Sequence, residues 1–300
     1  MRRLIPAVMF CFGLNIAAVN AQEVNIVSAQ DALSPESLSI TYEIKLSVLP
    51  VGRGQLNATF DGDAYNVDTT LHSDGIFKWL IRSTFNTSAE GIITDGRMRP
   101  LSYASIFARH ETLRQFVLIG YEDETPFLEA SEPSYSQHRQ TFPVADEQRV
   151  GALDPLHASL RVLMGMTFSQ ETPCGNRVPI FDGRRRYDLV FSYMGTETIR
   201  VLNGEVWDGP VTVCNLHYEE VAGFRPHPED DELPRPPLVL YIAEIADGQF
   251  HIPVRVRATT PFGPLILSAR ELNIDAEIEA HASSDPQDAL GTTPDYDPFE

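Results

Sequence analysis

Four groups of side chains in this 300-residue chain have the types and spacing to do chemistry. The first is the run Arg184-Arg185-Arg186 in "CGNRVPIFDGRRRYDLVF". On a strand, Arg184 and Arg186 project to one face and Arg185 to the other. A guanidinium pair on the concave side of a curved sheet could grip a carboxylate, a phosphate or a lipid headgroup. With Tyr187 and Phe191 they form a candidate ligand-binding set. The bland reading makes them exposed scaffold that offsets Asp182 and Asp188, and in an acidic chain it is the favoured one. The second group is His217 with Glu219 and Glu220 in "CNLHYEEVAG". His217 and Glu219 share a strand face, so an oriented imidazole could serve an alternative catalytic role. A solvent-facing pair is preferred. The third is the acidic run "HPEDDE", His227 to Glu232, which lacks the ligand spacing and sharp glycine turn of a calcium loop and reads as a solvated insert.

The fourth group is the cysteines, and the N-terminus decides their chemistry. Arg2 and Arg3 precede the apolar run "LIPAVMFCFGLNIAAV", and Val19 and Ala21 are the small residues of a cleavage site before Gln22. Residues 1–21 therefore read as a secretory signal peptide. The run is broken by Pro6, Gly13 and Asn15 and is shorter than the roughly 20 residues of a membrane span. Cys11 leaves with the leader, and Cys174 and Cys214 remain in an oxidising compartment, where a disulfide is expected. No His/Cys cluster surrounds either cysteine, so a metal pair is not.

Other chemistries find no support. The sequence contains no nucleophile elbow, Walker loop, dinucleotide fingerprint or HExxH helix. Neither a cofactor nor a metal is expected. Forty-two acidic residues against 23 basic ones give a net charge of −19, or about −21 without the leader. That field repels phosphates and argues against nucleic acid as a partner.

The elements that must position these groups read as strands. "SLSITYEIKLSVLP" alternates with Tyr42, Ile44, Leu46 and Val48 on one face. "VGRG" is expected to turn the chain at Gly52 and Gly54. "QLNATF", "DGD" and "AYNVDTTLH" make a hairpin, and "TDGRMRP" is a further Asp-Gly turn. Residues 122–150 read as a polar excursion. "DPLHASLRVLMG" starts a helix, with Asp154 as N-cap, Pro155 at the first helical position and His157 in the first turn. A short helical turn is possible at 75–81. "RRYDLVFSYM" puts Tyr187, Leu189, Phe191 and Tyr193 on one face. The expected fold is all-β and mainly antiparallel: a curved, open or spiral β-barrel of about twelve strands with one short α-helix. Residues 22–36 are a linker, 37–275 one domain, and 276–300 an acidic disordered tail.

In this order, "YEIKLSVLPVGRGQL", "TSAEGIITDGRMRPLSY", "DPLHASL", "CGNRVPIFDGRRRYDLVF", "VTVCNLHYEEVAGF" and "IPVRVRATTPFGPLIL" resemble the bacterial domain of unknown function family 3108, over roughly residues 38–272. That family is found in exported proteobacterial proteins and carries no assigned reaction. The resemblance implies a β-rich fold like that of the lipoprotein carriers LolA and LolB. The chain has no lipidated cysteine with which to anchor itself as LolB-like proteins do. The expectation is a non-enzymatic, soluble periplasmic protein of cell-envelope maintenance, with no membrane segment after cleavage. Its concave face, lined by Tyr42, Leu46, Tyr187, Phe191 and Phe250, could hold a lipid or other apolar ligand. A lipoprotein or envelope protein is the other candidate partner. An envelope hydrolase using His217 and Glu219, and a protein-interaction module, remain the alternatives.

Overall fold

Period-two alternation builds the wall. In β1 (Ser37–Leu46), Leu38, Ile40 and Tyr42 are buried and the polar residues between them are less so. The computed structural model describes residues 36–75, 82–133, 142–169, 171–225 and 236–275. The expected leader, the linker up to Pro35, the "HPEDDE" insert, all but Gly75 of the turn at 75–81, and the tail lie outside the described residues. The remaining strands are β2 (Leu49–Asp61), β3 (Ala64–Ser73), β4 (Ser83–Thr94), β5 (Arg97–Arg109), β6 (Thr112–Glu122), β7 (Thr125–Glu132), β8 (Arg177–Phe181), β9 (Arg186–Val201), β10 (Trp207–Ala222), β11 (Leu238–Ile245), β12 (Phe250–Thr260) and β13 (Gly263–Ile274). Between β7 and β8 come two short helices, α1 (Asp146–Arg149) and α2 (Pro155–Leu163).

All thirteen strands form one sheet, in the order β7-β6-β5-β4-β3-β2-β1-β13-β12-β11-β10-β9-β8. Every neighbouring pair is antiparallel. The first and last strands pair with each other, so the sheet is a nearly closed barrel with one open seam between β7 and β8. The strand beyond the expected twelve is β7, within the stretch read as an excursion; at a sheet edge, Pro126 is tolerated. Gly52 and Gly54 do not turn the chain but lie inside β2. There a Cβ on Gly52 would come within 2.9 Å of the His72 carbonyl oxygen, and one on Gly54 within 2.6 Å of Leu71 Cδ2. The glycines serve close approach of β3, and the turn is at Ser47 and Val48 instead. Val48 is therefore exposed rather than part of the inner face. The Asp61-Gly62 and Asp95-Gly96 turns fall where expected.

Pairing directions divide the turns between two ends. At one end, here the mouth, lie the β1–β2, β5–β6, β8–β9 and β12–β13 turns. The β2–β3, β4–β5, β6–β7 and β11–β12 turns lie at the far end.

The lumen is filled by α2. Leu156, His157, Ala158, Leu160, Val162 and Leu163 are all buried, whereas Ser159 and Arg161 are exposed. Two core clusters meet on this helix. One gathers Leu156, Leu160 and Leu163 with Ile40, Tyr42, Tyr65, Phe250 and Ile252. The other gathers Ala158 and Val162 with Ile180, Phe191, Leu240 and the disulfide Cys174–Cys214. A fully buried Leu or Val contributes roughly 1.5–3 kcal/mol, so α2 is a main structural element despite its length.

Its entry is fixed by Asp154. One carboxylate oxygen accepts from the Leu156 and His157 backbone N–H groups, both at 3.0 Å. The other accepts from Tyr121 Oη at 2.6 Å and contacts His157 Nδ1. Tyr121 Oη in turn accepts from the Asp154 N–H at 2.7 Å. His157 Nε2 lies 3.2 Å from the Glu90 carbonyl oxygen of β4. The helix cap is thus bonded to two strands of the wall.

The seam is latched by the segment that precedes α2. Leu153 donates to the Pro179 carbonyl (2.9 Å) and accepts from the Phe181 N–H (2.8 Å), covering the open edge of β8. Arg149 donates to the Pro126 carbonyl of β7 at 2.9 Å, and its guanidinium sits 5.5 Å from the Phe181 ring centroid of β8. One side chain spans both edges.

These bonds can be tested one at a time. Tyr121→Phe leaves the buried Asp154 N–H without its acceptor and removes a donor to the carboxylate. Urea denaturation should show a loss of about 1–3 kcal/mol. Thiol titration of the processed protein, denatured without reductant, should find no free cysteine. Cys174→Ser/Cys214→Ser should lower stability by about 2–4 kcal/mol, as expected for closing a 40-residue separation.

Candidate functional site

Leu56, Thr69, Thr87, Ser105 and Val117 are successive cross-strand partners from β2 to β6 and form one row across the inner wall. Closer to α2's cap the same wall is apolar, with Tyr65, Val67, Ala89 and Ile119 buried. At the row it becomes hydroxylic: Thr69 and Thr87 bond through their hydroxyls at 2.6 Å, with Ser105 next in line. The row borders a cavity of about 520 Å³. Phe85, Tyr103 and Gln115 extend its wall side, Pro155, Leu156 and Ser159 of α2 form its floor, and Asp182, Arg184, Arg185 and Tyr187 close it from the β8–β9 turn. Ser159 uses its hydroxyl to bond the Pro155 carbonyl, which keeps the helix surface facing the cavity smooth.

The turn reaches this position through Gly183. Its φ is +89°, and a Cβ there would come within 2.6 Å of Val117 Cγ1 on β6 and 3.2 Å of Leu128 Cδ1 on β7. Only glycine lets the turn lean across the seam onto the opposite wall. Asp182 then accepts from the backbone N–H groups of Arg184 (3.0 Å) and Arg185 (2.7 Å), and from Arg185 Nε at 2.9 Å. The Arg185 guanidinium also lies 5.7 Å from the Phe224 ring centroid.

The arginine run is therefore split differently from the sequence reading. Strand β9 begins only at Arg186, so the period of two does not govern Arg184 and Arg185, and both line the cavity. Arg186 is scaffold: it donates to the Gln148 and Tyr187 carbonyls at 2.9 and 2.7 Å and pairs with Asp188. Burial raises the Asp188 carboxyl pKa, but bonds from Arg186 and Arg177 outweigh it and hold the group below the ordinary value. Tyr187 lines the cavity, and burial pushes its phenol up. Phe191 does not line it; it packs in the cluster around the disulfide. Tyr193, read on the same strand face, is exposed, next to a register shift in the β9–β10 pairing. Of the concave residues expected to meet a ligand, Tyr42 and Phe250 are buried in the core and Leu46 is half-buried. The protein's own helix occupies most of that face.

His217 and Glu219 are both exposed on β10, and neither borders the cavity. Glu219 is held by Arg177 at 2.7 Å, and the same guanidinium also bonds Asp188. Among the described residues no group of three or more His, Cys, Asp or Glu is placed to hold a metal.

A second cavity, of about 430 Å³, lies toward the far end between β9–β12 and the loop after α2. Phe168, Pro173, Thr196, Thr212, Glu244 and His251 are among its lining residues. His251 stacks edge-on against Phe168, with ring centroids 4.7 Å apart. Burial lowers its imidazole pKa against the opposing effect of Glu244.

Part of the outward face, across β1, β2 and β3, is polar and bonded, whereas Ile106 and Phe116, out of phase with Ser105 and Val117, put apolar side chains on the outer side of β5 and β6. Ser39 donates to Asn57 at 2.8 Å, and Asn57 to Asp68 at 3.0 Å, across β1, β2 and β3. No helix among the described residues is long and apolar enough to cross a membrane.

No curated protein matches the chain in sequence. Among solved structures it is similar to a β-barrel-like protein of the domain of unknown function DUF1849 from Brucella abortus. The two share 12% identity over 79% of this chain and 97% of that one, with a TM-score of 0.47. Neither comparison bears on the expected likeness to LolA and LolB. The family model described as protein of unknown function, DUF3108, matches residues 41–270, and the chain belongs to that family.

Proposed function

We propose that the protein is a non-enzymatic binding barrel of the cell envelope, exported to the periplasm, which takes a lipid or similar amphipathic ligand into the cavity at its mouth. One observation carries the reading. A volume of about 520 Å³ is left open beside a helix that otherwise fills the lumen, and its wall changes from apolar to hydroxylic at that level. Such a volume is within the roughly 300–1,000 Å³ of small-ligand sites. Phe85, Tyr103 and Leu56 offer an apolar body contact surface; Thr69, Thr87, Ser105 and Arg184 offer bonds to a polar group. The disulfide supports export, since such bonds persist in oxidising compartments.

Native mass spectrometry of the protein recovered in its secreted form, with lipid extraction in parallel, tests the reading. A co-purifying lipid is expected. Ser159→Trp places a large ring into the cavity from the exposed side of α2. It should weaken lipid binding at least about tenfold, or ~1.4 kcal/mol, with little change in melting temperature. Protein that is free of lipid and takes none up from mixed micelles would refute the proposal.

A further inference from the structure

The two ends of the barrel differ in kind. Turns at the far end are acidic: Asp61 and Asp63, Asp95, Asp123 and Glu124, and Asp247. At the mouth, large apolar side chains protrude. Val48 and Phe262, on the tips of the β1–β2 and β12–β13 turns, are 82% and 83% exposed. Leu49, Leu71, Leu113 and Leu238, also exposed, stand at the mouth ends of their strands. The two tips are neighbours, because β1 pairs with both β2 and β13 and the Ser47 N–H donates to the Pro264 carbonyl at 2.7 Å. Leu71 faces inward, opposite Phe85 of the cavity wall. The apolar rim and the cavity opening are therefore continuous.

Isolated exposed apolar residues are ordinary, and Leu101, Val150, Tyr193, Met194 and Ile274 are others, but Val48 and Phe262 are the most exposed large apolar side chains among the described residues and sit on adjacent turns. Fully exposed Val and Phe on tight turns add nothing to the core and cost hydration. The occupant that suits protruding apolar tips around a lipid-sized opening is the headgroup–acyl boundary of a bilayer, into which such side chains can bury by a few ångströms. A protein partner would be expected to bring a shaped, directional surface, and the two tips offer few polar groups to meet one.

We infer that the mouth end docks on a lipid surface through Val48, Leu49 and Phe262, so that a lipid passes between bilayer and cavity without crossing water. This rests on the proposed lipid site in the same lumen. The docking is driven by apolar contact. Neither turn, residues 47–50 nor residues 260–264, carries a charged side chain, so attraction to anionic headgroups is not what holds the protein there.

Flotation of the secreted-form protein with vesicles of mixed phosphatidylethanolamine and phosphatidylglycerol tests the inference. The protein should float with the vesicles, and raised salt should not release it. Val48→Asp/Phe262→Asp should reduce flotation at least about tenfold, while leaving the melting temperature and uptake of micelle-delivered lipid unchanged. Ser159→Trp should do the opposite, floating normally while failing to take up lipid. Wild-type protein that stays in solution, a double variant that floats normally, or association of the mouth ends into dimers in ultracentrifugation would each overturn the docking inference. Wild-type protein that floats but takes up no lipid would overturn only the cavity reading.

Discussion

With an odd number of strands, each antiparallel to the next, the two end strands can meet only in parallel. Going from β7 round to β8 through the paired strands takes twelve reversals, so the two seam strands run in the same direction. A tight turn cannot join parallel strands; the chain must cross back over the length of the sheet. Among the described residues, Pro155–Leu163 of α2 makes that crossing through the lumen, and α1, with no buried residue, precedes it. The helix inside the barrel and the seam beside it both belong to this one crossover.

A crossing placed in the lumen has to be held at a fixed depth, and Asp154 does this. Its buried carboxylate would be costly without compensation. Two backbone N–H groups, the Tyr121 hydroxyl and the His157 ring surround it, so the helix can sit at the one height where these partners converge. The depth of the cap determines where Pro155, Leu156 and Ser159 lie, and these are the floor of the mouth cavity. Arg149 and Leu153 do the corresponding work across the seam, satisfying edge groups that would otherwise invite another strand. Cys174–Cys214 then ties the end of the crossing to β10.

Much of the wall is legible in the sequence because period two and Asp-Gly turns are local signals: β1, the β2–β3 hairpin, the cap at Asp154 and the disulfide all follow from neighbouring residues or from counting. The site is not. Thr69, Thr87 and Ser105 are polar residues on an inward face, and alternation alone assigns polar residues to solvent. Their shared row exists only through pairing between strands up to 36 positions apart. Tyr121 lies 33 residues from Asp154, and nothing near either announces the bond. Gly52 and Gly54 look like a turn because glycine permits one, yet here glycine answers to close packing of β3. In the arginine run a strand period does not reach residues that belong to a turn, so Arg184 shares the cavity with Arg185 rather than a face with Arg186.

The seam also gives the barrel its polarity. Because β7 and β8 both run toward the mouth, the crossing must start there and finish at the far end. The β8–β9 turn, carrying Asp182, Arg184 and Arg185, is left leaning over the mouth through Gly183. At the far end the loop after α2 packs its Phe168 against His251 of β12 instead. The two cavities thus lie beside opposite stages of the crossing and have different chemistry: hydroxyls and guanidiniums at the mouth, an aromatic pair with a shielded imidazole at the far end.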